Sequence, residues 1–444
     1  MCRNVPCISR YSWRMRNALL WTAVYAGCAS SLIMFATAGG ATYIREGMAW
    51  TAREAQTAAV FFVQSITVSQ IQNDYQNVQA PKSDKSKKKS TKSRYISDGE
   101  IRVLIVPGHQ PEDGGTAFDG VYERDIVVDI AGALAELLAQ DSHYEVMVAR
   151  GKDTWNPVLQ AYFDTRAADI KAFEQSQELL MESYLASGSI LPQADHVYHN
   201  SASPSARLQL YGINKWASEN TYDITLHLHL NDYARRRTGR VGTYDGFTIY
   251  VPERQYSNAE ASIAIAEAIA ARLNAYHATS TLPQEDAGVV EDQELIAIGT
   301  NNTADGAALL IEYGYIYEPQ FQEPSVLPVA VADYAYATYL GLQDFFNNSI
   351  VPTFGSVSFP YDWSAVDAQK GESGPGIYAL QAMLHRLGYY PPAGESFSEC
   401  PVSGKSGLCT RRAIEAYQNA HGLETTGALG PKTREALERE LTTP

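Results

Sequence analysis

IRVLIVPGHQ, residues 101–110, sets the frame for the chain. IRVLIV is a short, β-branched apolar run of strand length. It is followed directly by Pro107, Gly108 and His109, where an α/β sheet presents its functional groups. Outward from it, RDIVVDIAGALAELLAQ (124–140) has helical spacing and YEVMVA (144–149) reads as a second strand. YDITLHLHL (222–230), GFTIYV (246–251) and AALLIEY (307–313) continue the series. Between the last two, SNAEASIAIAEAIAARLNAY supplies a helix opened by Ser257 and Glu260 as a capping box. Strands alternating with helices predict an α/β domain over 99–348, a mostly parallel sheet flanked by helices.

Four groups in this frame carry chemistry. His109 follows the first strand, and Glu123 stands at a helix start, where the dipole favours a carboxylate. LHLHLND offers His227 and His229, which strand alternation puts on one face of the sheet. Glu312 ends an apolar strand, where a buried unpaired carboxylate is expensive. Two histidines and one carboxylate make a three-ligand zinc centre with an open position. Glu312 then supplies a general base.

These stretches resemble the zinc-dependent N-acetylmuramoyl-L-alanine amidases, which cut the bond between glycan and stem peptide in bacterial peptidoglycan. VLIVPGHQPEDGG is similar to the family's strand and Pro-Gly-His-Gly-Gly loop, GVYERDIVVDIAGAL to its Glu-led helix, and YEVMVAR to its second strand. YDITLHLHLND is similar to its strand ending in His-x-Asn, and ALLIEYGYIYEP to its Glu-x-Gly segment. The resemblance covers roughly 100–345. It implies His109, Glu123 and His229 as zinc ligands, Glu312 as the catalytic glutamate and Asn231 as a substrate contact. His229 is chosen over His227 because His229-Leu230-Asn231 reproduces His-x-Asn. Two departures stand out: Gln110 replaces the usual glycine after the histidine, and GYIYEP lacks the family's Ser-Asn.

The chain has 444 residues and a net charge of −15, spread unevenly. Four arginines at 3, 10, 14 and 16 and the lysine run KSDKSKKKSTKSR (82–94) concentrate positive charge near the start, leaving residues 95–444 with about −24. A part so acidic is a poor nucleic-acid binder, since phosphate contacts need clustered Lys and Arg. Residues 1–17 read as a basic cytoplasmic terminus, and the charge-free run 18–44 as a transmembrane anchor. Residues 45–75 read as a juxtamembrane helix and 76–98 as a Lys-rich linker. The expectation is a single-pass membrane protein whose catalytic domain lies outside the cytoplasm. Cleavage as a signal peptide, which would release the chain, and a lipoprotein box ending at Cys28 are the alternatives. Cys400 and Cys409 fit a disulfide in an oxidising compartment, and equally two free thiols.

Residues 156–205 form an insert. Asn156-Pro157 reads as a helix start, and Leu159, Phe163, Ile170, Phe173, Leu180 and Tyr184 recur at helical spacing. A helix packed on the domain is the plain expectation. The resemblance adds another, in which the helix covers the zinc through Glu174 or Glu178 until a protein activator removes it. Arg235 and Arg236, with Arg237 and Arg240, make a basic loop suited to stem-peptide carboxylates. After a linker at 349–374, residues 375–444 (LQAMLHRLGYY, AIEAYQNAHGL, TGALGPKTREAL) resemble a small three-helix peptidoglycan-binding domain. The expected partner is peptidoglycan. The other readings are a catalytically silent wall-binding protein and a zinc hydrolase of another wall amide.

Overall fold

The computed structural model describes residues 100–346, apart from 195–196, 200, 234–235, 238 and 300–304, and residues 373–442. The expected anchor, juxtamembrane helix and Lys-rich linker, and most of the second linker, lie outside the described residues. Among the described residues, no helix is long and apolar enough to cross a membrane.

Strands β1 (Ile101–Pro107), β4 (Tyr144–Val148), β5 (Ile224–Asn231), β6 (Thr248–Pro252), β7 (Val289–Asp292) and β8 (Ala307–Tyr315) build one sheet in the order β4-β1-β5-β8-β6-β7. β1 pairs in parallel with β4 and β5, and β5 with β8. β6 runs antiparallel to β8, so the sheet is mixed but mostly parallel. β7 is an edge strand that the sequence pattern did not reveal. A two-residue hairpin, β2 (Ala117–Phe118) with β3 (Val121–Tyr122), closes the loop after β1.

Alternation along the central strands divides the core. Val103 and Ile105 of β1, Leu226 and Leu228 of β5, and Leu309 and Ile311 of β8 face helices α1 (Glu123–Leu138), α4 (Ala259–Leu273) and α6 (Leu327–Phe346). Leu104 and Val106 face the opposite way, against Leu159, Phe163 and Ile170 of the insert helix α2 (Pro157–Ser187) and Tyr211 and Ile213 of α3 (Pro204–Glu219). Burying each such side chain contributes roughly 1.5–3 kcal/mol. The insert therefore supplies the second helical layer. Its helix begins where Asn156 caps Val158 and ends at Gly188 in the left-handed region. The capping box expected at Ser257 and Glu260 does not open α4. The cap falls on Asn258, whose side-chain amide instead donates to the Gly306 carbonyl across the fold.

A four-residue helix α5 (Pro319–Gln322) links β8 to α6. Beyond it, α7 (Pro375–Arg386), α8 (Leu408–Ala420) and α9 (Pro431–Thr442) form the small C-terminal unit. Two buried glutamines organise it in the same way. Gln381 takes the backbone N–H groups of Ser403 and Gly404 and donates to Lys405 and Thr410. Gln418 takes those of Thr426 and Gly427 and donates to Ala428 and Thr433. The stretches GKSGLCTRRA and GALGPKTREA that carry most of these contacts are similar, an internal repeat legible only once the glutamines were placed. Cys400 and Cys409 are joined by a disulfide.

Candidate metal centre

β1, β5 and β8 run in parallel, so their carboxyl ends open at one edge of the sheet, where such sheets bind ligands. Three side chains converge there. His109 follows β1 in a left-handed conformation, φ 65°, which turns the chain back over the sheet. Glu123 is the first residue of α1, and His229 lies near the end of β5. One ligand atom from each lies within 4.8 Å of the others. Glu123 Oε2 is 2.8 Å from His109 Nε2, and Glu123 Oε1 is 3.0 Å from His229 Nδ1.

The surroundings explain why those rings meet. A Cβ on Gly108 would collide with the His229 ring, and one on Gly115 with both the His109 ring and Glu123. Glu123, 2% exposed, also accepts the backbone N–H groups of Thr116 at 3.1 Å and Leu230 at 3.1 Å. Burial alone would raise its pKa, but both histidines hold it well below the usual carboxylate range. Burial would lower the His109 ring, yet Glu123 outweighs it and holds the ring above its ordinary value. For His229 burial prevails and the pKa is lowered.

Arg150 had no assigned role in the sequence reading, and its place just after β4 was the only signal. It is 1% exposed, and its guanidinium donates to the carbonyls of Pro107, Gly108, His109 and Gly151. Burial pulls its pKa down to about 10, so it stays charged at neutral pH. A fixed cation thus shapes the loop that carries His109.

Glu312 pairs with His229 across β5 and β8, on the same side of the sheet. Its Oε2 is buried without a hydrogen-bond partner among the described residues. Burial, then the charges of Glu123 and Glu285, raises its pKa well above the carboxylate range. His227, one turn of the pleat earlier, is fully buried with both ring nitrogens unpartnered among the described residues. Burial, then His229, lowers it to about 3, and it is outside the three-residue group.

Asn231 lines the cleft beside these groups, with its amide donating to both oxygens of Glu285 at 3.0 and 3.2 Å. Glu285, which sequence reasoning missed, also receives the hydroxyls of Tyr250 and Tyr315. Arg236 lines the cleft too, but its guanidinium is committed to Asp232, at 2.7 Å through both Nε and Nη2, and to the carbonyls of Ala117 and Arg240. Arg235 lies outside the described residues. Glu174 and Glu178 are not in the three-residue group, and Arg207 of α3 pairs with both. Gln110, in place of a glycine, donates to Gln209 of α3, tying the His109 loop to the second helical layer.

The donor set, two imidazole nitrogens and a carboxylate oxygen, fits the requirements of zinc with a position left open. Fold and site together define an α/β domain with a candidate metal centre at the carboxyl ends of its parallel strands. Residues 103–344 match the family model of N-acetylmuramoyl-L-alanine amidase, and residues 373–437 that of a peptidoglycan-binding domain. The first match spans more than half of the chain, which belongs to the N-acetylmuramoyl-L-alanine amidase family. It is an amidase carrying a peptidoglycan-binding domain.

Among solved structures, the chain is similar to an N-acetylmuramoyl-L-alanine amidase from Clostridium difficile 630, at 17% identity and TM-score 0.36, over 56% of this chain and 98% of that one. It is similar to the amidase AmiC2 of Nostoc punctiforme, at 15% identity and TM-score 0.35, over 57% of this chain and 100% of that one. The Ami1 amidase from Mycobacterium smegmatis gives 15% identity and TM-score 0.36, over 56% and 98% of the two chains. No curated protein matches the chain.

Proposed function

We propose that His109, Glu123 and His229 hold a zinc ion and that Glu312 carries the proton in hydrolysis of the amide between N-acetylmuramic acid and the L-alanine of the stem peptide. The convergence of the three ligand atoms at the strand ends, with Glu312 beside them on β8, carries this reading. Zinc bound there supplies Lewis acidity, which activates water and polarises the amide carbonyl. Glu312 accepts the proton of the attacking water and passes it to the departing alanine nitrogen. Its enclosed site, raised proton affinity and partnerless oxygen suit a group that must take up and release a proton. The backbone N–H groups of Thr116 and Leu230 fix the Glu123 carboxylate beside both rings, and Arg150 holds the loop that presents His109.

The run 18–44 anchors the chain in this reading, and the Lys-rich segment tethers the catalytic domain outside the cytoplasm. The C-terminal unit keeps the enzyme on its polymer. Mass analysis of products from purified muropeptides tests the chemistry. The expected result is free stem peptide beginning at L-alanine, abolished by chelator and restored by zinc. Cleavage at another bond, or turnover indifferent to chelator, would overturn it.

A further inference from the structure

The insert does more than cover the sheet. After α2 the chain is tied to the carboxyl ends of β6 and β7 as a strap. Gln193 and Gln293 exchange backbone and side-chain hydrogen bonds at 2.9 and 3.2 Å, and Gln193 Nε2 donates to the Glu291 carbonyl at 2.7 Å. Leu191 and Gln255 exchange another pair at 2.9 and 3.0 Å. Stitched down in this way, the strap delivers Val197, Tyr198 and His199 to the wall of the cleft that holds His229 and Glu312.

His199 is held there as a positioned imidazole. Its Nε2 is 2.9 Å from Asp292 Oδ2, and Asp292 is 1% exposed. Asp292 Oδ1 accepts the backbone N–H groups of Glu294 and Leu295 at 2.7 and 2.8 Å. Burial alone would raise the Asp292 pKa, but His199 and these donors hold it below its ordinary value. An anionic Asp292 makes Nε2 the donor and fixes the tautomer. The ring stands edge-on to Tyr250, centroids 5.1 Å apart, and its side chain is 20% exposed. Nδ1 has no partner among the described residues.

We infer that His199 is a substrate-binding residue contributed by the insert, whose Nδ1 accepts a hydrogen bond from an N–H or O–H of the muramoyl peptide. Asp292 is its positioning residue, and the insert is a wall of the active site instead of a plug over it. This rests on the assignment of the cleft to amide hydrolysis, which wild-type turnover in the same assay tests separately. A donor of this kind comes either from the stem peptide or from the glycan. Steady-state kinetics of the full chain with zinc, for wild type, His199→Ala and Asp292→Asn, on muropeptides of graded stem length and graded glycan length separates the two.

For His199→Ala on the full-length substrate, the expected result is a KM raised about tenfold, with kcat within about twofold and melting temperature and zinc content unchanged. Asp292→Asn should give a smaller rise in KM. Loss of the wild-type advantage on shortening the stem assigns the contact to the peptide, and loss on shortening the glycan assigns it to sugar. An unchanged KM on every substrate overturns the inference. So does a fall in melting temperature with KM unaltered, which would make His199 a structural pin.

Discussion

Glu123 receives four donors, two from histidine rings and two from backbone, and the proposed choice of His229 over His227 rests on that arrangement. His229 is one of the four, whereas His227 is enclosed two residues away with no partner among the described residues. His229→Ala should therefore abolish zinc binding in a metal titration and His227→Ala should retain it; the reverse pattern would exchange the roles. Glu312→Gln should keep the metal and lower kcat about 10²- to 10⁴-fold, and full activity would remove it from the chemistry. Arg150→Met would leave the carbonyls of Pro107, Gly108 and His109 without their buried donor. The expected cost is at least about 3 kcal/mol in unfolding free energy, at roughly 1–3 kcal/mol for each unpaired group, read by denaturant titration.

At the scale of elements, the turn from β8 into α5 carries a pH-sensitive joint. Glu318 accepts the backbone N–H groups of Tyr315 at 2.7 Å and Gly246 at 3.0 Å, but its burial raises the pKa from 4.5 to about 7. The folded state thus holds this proton more tightly than the unfolded chain does. The stability it contributes is complete below pH 4.5 and is lost as pH rises through 7, by about 3 kcal/mol at most. Glu318→Gln should flatten that part of the stability-versus-pH curve, and an unchanged slope would discount the joint. The insert helix has a comparable test. Leu159, Phe163 and Ile170 cover Leu104 and Val106 of β1, and Arg207 occupies Glu174 and Glu178. Deleting 156–200 should lower basal activity and stability; a rise in activity would restore the blocking role that the resemblance suggested.

For the whole molecule, the C-terminal unit meets the catalytic domain through specific side chains. Ser398 donates to Asp245 at 2.6 Å, Arg386 to the Tyr276 hydroxyl at 2.8 Å and Tyr378 to Asp333 at 3.3 Å. Beside these contacts, one apolar core runs through both and includes Tyr334, Tyr378 and Leu380. Removing 373–444 should lower the melting temperature of the remaining domain as well as its sedimentation with insoluble peptidoglycan. Loss of sedimentation at an unchanged melting temperature would show two independent units.

Much of this was legible because strand and helix periodicity and the residues at strand ends are local properties. The run 101–106, the Glu-led helix, the His-x-Asn strand and the Glu312 strand were each readable in place, and with them the α/β class and the positions of the candidate ligands along the chain. Pairing is not local. The antiparallel β6, the edge strand β7 and the cap at Asn258 depend on neighbours far away in sequence. So do the buried Arg150, the Glu285 hub and the His199–Asp292 pair, since a buried charge is tolerated only where distant partners meet it. The sequence by itself determined which chemical groups the chain owns and on which elements they ride. Tertiary structure alone decided which of them face one another, because hydrogen bonding and desolvation are settled by contacts between residues as much as 202 positions apart.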